Sequence, residues 1–120
     1  MDNNQNHKPF DLEQRTLEFA KKVIRLCKKL PNNKINSELI SQLVRASGSV
    51  GANYREANDT LTKKDFVYKM GICLREAKES NYWLELTLEA NSDFKEEINK
   101  LLQETIELRK IFASIVNKSK

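Results

Sequence analysis

INKLLQETIELRKIFASI, residues 98–115, repeats Ile98, Leu101, Thr105, Leu108, Phe112 and Ile115 at alternating spacings of three and four. That spacing sets these side chains on one stripe of a helix, the heptad seam by which a helix packs against others. Just upstream, Asn91-Ser92 interrupts the pattern, and Asp93 with Glu96 offers a capping box for this last helix. The segment before the break reads as a helix from about Lys63 to Ala90. Thr62 is its N-cap, Asp65 stands at the third position, and Leu61 and Phe66 flank the start as a hydrophobic staple. Further upstream, Ile40, Leu43, Ser47, Val50, Tyr54 and Ala57 keep the same alternation in a helix capped by Asn36 or Ser37. The first helix begins at Asp11 as N-cap with Gln14 three residues on, and Pro31 ends it. Its apolar residues Leu17, Phe19, Ala20, Val23, Ile24, Leu26, Cys27 and Leu30 predict one wide buried face. Four helices on short links must pack as antiparallel neighbours. The sequence therefore predicts an all-α, antiparallel up-down-up-down four-helix bundle over residues 11–120, preceded by a loose tail at 1–10.

Composition sets the limits on function. The chain has 120 residues, enough for one core, with 21 Lys and Arg against 17 Asp and Glu and a net charge of +4. No run approaches the roughly 18 consecutive apolar residues of a membrane span. Met1 to Phe10 is polar and carries no secretory h-region. Cys27 and Cys73 make no disulfide framework and suit a reducing cytoplasm. The one histidine, His7, sits in the tail, where no helix orients it. Glu76-x-x-Glu79 and Glu104-x-x-Glu107 are carboxylate pairs of the kind that ordinarily line solvated helix faces. A di-metal carboxylate bundle would also need Glu-x-x-His, and no helix holds a histidine. No Ser–His or Cys–His arrangement and no Gly-rich phosphate loop can be drawn. The expectation is a non-enzyme without metal, cofactor, small-molecule substrate or membrane association.

The third helix carries more apolar surface than one core stripe uses. Phe66, Met70, Cys73, Ala77, Leu84 and Leu88 form a row, and Tyr68, Ile72, Tyr82, Trp83 and Leu86 lie largely off it. Tyr and Trp are enriched in subunit interfaces, so these five are expected to contact another copy. In the second helix, Ala46-Ser47-Gly48-Ser49-Val50-Gly51-Ala52 spends about 1 kcal/mol on each glycine relative to alanine. Close approach of another backbone, or room for a bulky neighbour such as Trp83, would offset that cost. A helix-turn-helix with Gly48 in the turn is the competing reading, but the apolar seam runs on through Gly48 without a break.

Charge is the remaining lead. From Lys21 to Lys34 the chain has six cations, Lys21, Lys22, Arg25, Lys28, Lys29 and Lys34, and no acid. They are expected to attract phosphate backbones, although cations near a helix C-terminus also complement its dipole. At the other end of the bundle Lys63, Lys64, Lys69, Arg109, Lys110, Lys118 and Lys120 would gather. Neither cluster is interleaved with aromatics, which argues against stacking on single-stranded bases.

The stretch QLVRASGSVGANYREA, residues 42–57, resembles the signature of the four helix bundle protein family, also called 23S rRNA-intervening sequence proteins. Asp65-Phe66, and Arg75 through Leu86 with Glu76-Ala77-Lys78-Glu79-Ser80-Asn81-Tyr82-Trp83, look like the same family's third helix. Many members have Pro at the place of Gly51 and Ile-Ala at that of Tyr54-Arg55, and this chain looks closer to the Gly-Ala-Asn-Tyr-Arg branch. The resemblance implies an antiparallel four-helix bundle assembled as a ring-shaped homopentamer. Some members are encoded within intervening sequences of large-subunit ribosomal RNA genes. Similar bundles are accessory proteins of diversity-generating retroelements, where they engage nucleic acid and a reverse transcriptase.

Asn53 lies on the row of Leu39, Leu43, Ala46 and Val50 and should be partly buried, with Arg45, Glu56 and Glu79 as candidate partners in a polar network. The functional expectation is a cytoplasmic homo-oligomer that binds RNA or a nucleoprotein partner through basic surfaces. The alternative is a protein-interaction scaffold with no nucleic-acid role.

Overall fold

The computed structural model describes residues 12–120. The tail, His7 and the expected cap Asp11 lie outside the described residues. Four helices follow one another: α1 (Leu12–Lys29), α2 (Lys34–Asn58), α3 (Lys63–Ala90) and α4 (Lys95–Ser119). Each link is short, and the last contains a 3-10 turn at Ser92–Phe94. Among the described residues there is no strand, and no helix is long and apolar enough to cross a membrane.

The expected helix starts hold in part. Thr62 Oγ1 accepts the Asp65 N–H at 3.0 Å and opens α3 where the capping signal stands. Leu61 is 98 % exposed, so the staple does not close, and Phe66 packs on the core without it. α2 begins earlier than Asn36 or Ser37, because Asn33 is the cap and its side chain accepts the Asn36 N–H at 2.8 Å. The Asn36 side chain turns inward, where its amide donates to Pro31 O at 2.8 Å. The Asp93–Glu96 box does not form. Phe94 N–H closes a tight turn on Asn91 O at 2.9 Å, the Phe94 ring packs on the core, and α4 starts without a side-chain cap.

The core follows the seams. Ile98, Leu101, Thr105, Leu108 and Phe112 of α4 are buried, and Ile115 is half-buried at the bundle end. They meet Leu43, Val50 and Tyr54 of α2, Met70, Cys73, Ala77 and Leu84 of α3, and Phe19, Val23 and Leu26 of α1. Burying each large apolar side chain is worth about 1.5–3 kcal/mol. The wide face expected of α1 is narrower in the structure: Ile24 is 46 % exposed and Leu17 half-buried. α1 packs on α2 and only sparsely on α4, so it has fewer neighbours to cover its flanks than α3, which packs heavily on both α2 and α4.

At Gly51 α1 comes close to α2. A Cβ there would sit 2.8 Å from Thr16 Oγ1 and 3.2 Å from Thr16 Cβ, whereas nothing lies within 4 Å of one at Gly48. Close backbone approach therefore explains one glycine and not the other. Gly48→Ala should raise stability by about 0.5–1 kcal/mol through helix propensity. Gly51→Ala should be destabilising by about 1–3 kcal/mol through overpacking against Thr16. Thermal unfolding of the two variants checks the pair, and equal gains at both positions would refute the close approach.

Candidate functional surfaces

All six cations of the basic segment are exposed, but the structure does not leave them equivalent. Arg25 Nη1 donates to Glu18 at 3.0 Å, and Lys29 Nζ donates to Glu97 of α4 at 2.6 Å. Lys21, Lys22, Lys28 and Lys34 make no ion pair with another described residue. Arg25 also lowers the Glu18 carboxyl below its ordinary range through their hydrogen bond. Sequence reasoning took the segment as acid-free along the chain. It missed that helix geometry brings Glu18, two turns back, and Glu97, on another helix, to its side.

Between α1 and α4 runs a furrow of about 860 Å³. Phe19 and Leu101 are at its floor, while Lys22, Arg25 and Lys29 from α1 and Lys100 from α4 line its sides. Arg15 bridges it with two bonds to Glu104, Nε to Oε2 at 2.7 Å and Nη2 to Oε1 at 2.9 Å. The bidentate bond raises the already high Arg15 pKa. Lys21 and Lys28 are not among the furrow's lining residues.

The polar residues of the signature are not brought together within one chain. Arg45 is exposed and donates to Gln42 at 3.2 Å, and Asn53, half-buried as expected, donates to Ser49 O on its own helix at 2.8 Å. Glu56 accepts from Lys69 at 2.6 Å, and Glu79 is exposed. The buried polar contacts lie elsewhere. Asn36 and Asn91 form a reciprocal amide pair at 3.0 and 2.8 Å between the start of α2 and the end of α3. Asn81 donates to Thr105 Oγ1 at 2.7 Å, linking α3 to α4. A signal for the second pair was present, since Asn81 and Thr105 fall at seam spacing in their helices.

The structure exposes three of the five off-row residues of α3. Tyr68 is 68 % exposed, Tyr82 57 % and Leu86 37 %, while Ile72 and Trp83 are half-buried. The Tyr82 and Trp83 rings meet edge-on with centroids 5.1 Å apart. Trp83 Nε1 and Glu76 Oε1 are buried without a hydrogen-bond partner among the described residues.

Among the described residues no group of three His, Cys, Asp or Glu could hold a metal ion. Burial pushes the Cys27 thiol up to about 11 and the Cys73 thiol to about 12. Well below the ordinary thiol pKa of about 8.5 both are protonated in either state. Above that the unfolded chain gives up protons that the folded chain keeps, so stability should fall as pH rises toward these values. Urea unfolding between about pH 8 and pH 10.5 checks this, with a smaller fall expected for Cys27→Ala/Cys73→Ala. An identical fall in both proteins would show that the thiols contribute nothing.

The family model described as 23S rRNA-intervening sequence protein matches residues 8–114 of this chain. Among solved structures, one is a protein of unknown function from the S23 ribosomal protein family of Bacteroides thetaiotaomicron. It is similar at 33 % identity with a TM-score of 0.79, over 88 % of this chain and 97 % of that one. A comparison with curated proteins finds no match.

Proposed function

This chain belongs to the 23S rRNA-intervening sequence protein family, and from that membership we propose a non-enzymatic, cytoplasmic ring of up-down-up-down bundles that binds structured RNA or a nucleoprotein partner. The antiparallel arrangement is supported by contacts between opposite helix ends. Lys29, the last residue of α1, reaches Glu97 in the first turn of α4, and Asn36 near the start of α2 reaches Asn91 just after α3. Ring assembly, a homopentamer by family resemblance, uses Tyr68, Ile72, Tyr82, Trp83 and Leu86. The exposure of Tyr68, Tyr82 and Leu86 supports it, because burying them would remove apolar surface that the single chain leaves in water.

The observation that carries the nucleic-acid reading is the set of exposed cations without an ion pair, Lys21, Lys22, Lys28 and Lys34. Repeated around a ring, they make a phosphate-attracting field with no built-in base specificity. The second reading, a protein-interaction scaffold, is favoured by the ion pairs that hold Arg25 and Lys29. Fluorescence anisotropy with a structured RNA across a salt series separates the two. Lys21→Glu/Lys28→Glu/Lys34→Glu should weaken binding and flatten the log–log salt slope by about 0.7–0.9 for every phosphate no longer neutralised. No binding of the native chain at low salt would leave the scaffold reading.

A further inference from the structure

The furrow between α1 and α4 and the last three turns of α3 are complementary in charge and matched in height. Three furrow cations, Arg15, Arg25 and Lys29, are matched by Glu104, Glu18 and Glu97, which leaves Lys22 and Lys100 without a carboxylate among the described residues. From Glu79 to its end, α3 carries Glu79, Glu85 and Glu89 and no cation. All three are exposed, beside Tyr82 and Leu86 at helical i,i+4 spacing.

Hydrogen bonds fix the relative heights. Arg15 bonds Glu104 while Asn81 bonds Thr105, the next residue of α4, so Asn81 stands level with the lower furrow. Lys29 bonds Glu97 at the other end, where Asn91 bonds Asn36 just after the α1–α2 link. Rotation about an axis parallel to the bundle preserves height, so in a cyclic assembly about such an axis the α3 segment of one copy and the furrow of the next stand at the same level. α1 and α3 occupy opposite corners, each packing on α2 and α4. Such a contact joins two different surfaces and is of the head-to-tail kind that closes into rings.

We propose that the α1–α4 furrow is the receptor for the C-terminal half of α3 of a second copy. Tyr82 and Leu86 pack over Phe19, Leu101 and the aliphatic stems of Lys22 and Lys100, and Glu85 and Glu89 pair with those two ammonium groups. This rests on the ring reading and names the surface that receives the α3 face. It also assigns the two sides of α1 different tasks, with Lys22 turned to the neighbouring subunit and Lys21 and Lys28 left on the outside.

Sedimentation equilibrium of the full chain tests it, with circular dichroism to confirm folding. Lys22→Glu/Lys100→Glu and, separately, Glu85→Lys/Glu89→Lys should each reduce the mass to the 14.0 kDa of one chain. Combining all four substitutions restores opposite charges and should restore the native mass. As a second readout, Lys22→Cys/Leu86→Cys should cross-link into a ladder beyond the dimer under oxidation, and Leu86→Cys alone should not cross-link. A native mass unchanged by the furrow pair, or dimers from Leu86→Cys alone, would overturn the furrow contact while leaving an oligomer standing. A native chain that sediments as a single copy would overturn the ring itself.

Discussion

Asn36→Asp should cost about 3–5 kcal/mol of stability at neutral pH, the range for an uncompensated buried charge, and distinctly less near pH 3. Asn36 is 1 % exposed. Its Nδ2 donates to Pro31 O at 2.8 Å and to Asn91 Oδ1 at 3.0 Å, and its Oδ1 accepts from Asn91 Nδ2 at 2.8 Å. Exchanging the amide nitrogen for an oxygen sets an acceptor against two acceptors in a site without water access. Only a protonated carboxyl can donate to one of them, so burial holds the folded-state pKa above the ordinary value near 4. The sign follows from linkage. Below the unfolded-state pKa both states are protonated and the loss is limited to one hydrogen bond. As pH rises past it the unfolded chain ionises freely, the folded chain cannot, and stability drops. Urea unfolding of variant and native chain at both pH values measures the difference, and an equal loss at the two would show that the side chain escapes to solvent.

That amide pair also shows where local pattern stops being informative. The seams of α2, α3 and α4 were legible because period 3.6 is a property of one segment, and Thr62 could be placed because a cap and the N–H it accepts lie three residues apart. Asn36 read equally well as a cap, and what decides otherwise is Asn91, fifty-five positions away. The basic segment failed in the same way: its cations were visible, but Glu97 comes to Lys29 only through the packing of α1 on α4. Ile24 fits the periodic face of α1 and is still 46 % exposed, since periodicity says which side faces inward and not how many helices cover it. The furrow has no local signature at all, being the gap left where α1 packs sparsely on α4. Gly51 lay between these cases. A helical glycine in an unbroken seam signalled a close approach, but Thr16 as the residue approached had no signal in the sequence.

Leu86→Asp should dissociate the proposed ring into single folded chains, while Leu84→Asp, two positions earlier, should prevent folding. Leu84 is fully buried, so a carboxylate there has no partner and no route to water. Leu86 is 37 % exposed in the single chain and Tyr82, one turn before it, 57 %. A charge at position 86 therefore costs the isolated bundle little, because it can remain hydrated. In the assembled state the same carboxylate would have to leave water against Phe19 and Leu101. Every interface would also forgo burial of the exposed third of Leu86, about 0.5–1 kcal/mol. In the proposed ring every interface is the same, so the deficit is multiplied around it and dissociation should be complete at micromolar concentration. Sedimentation with circular dichroism distinguishes the outcomes: native helicity at the mass of one chain is expected. Native mass for Leu86→Asp would mean that the exposed apolar face of α3 serves some other partner.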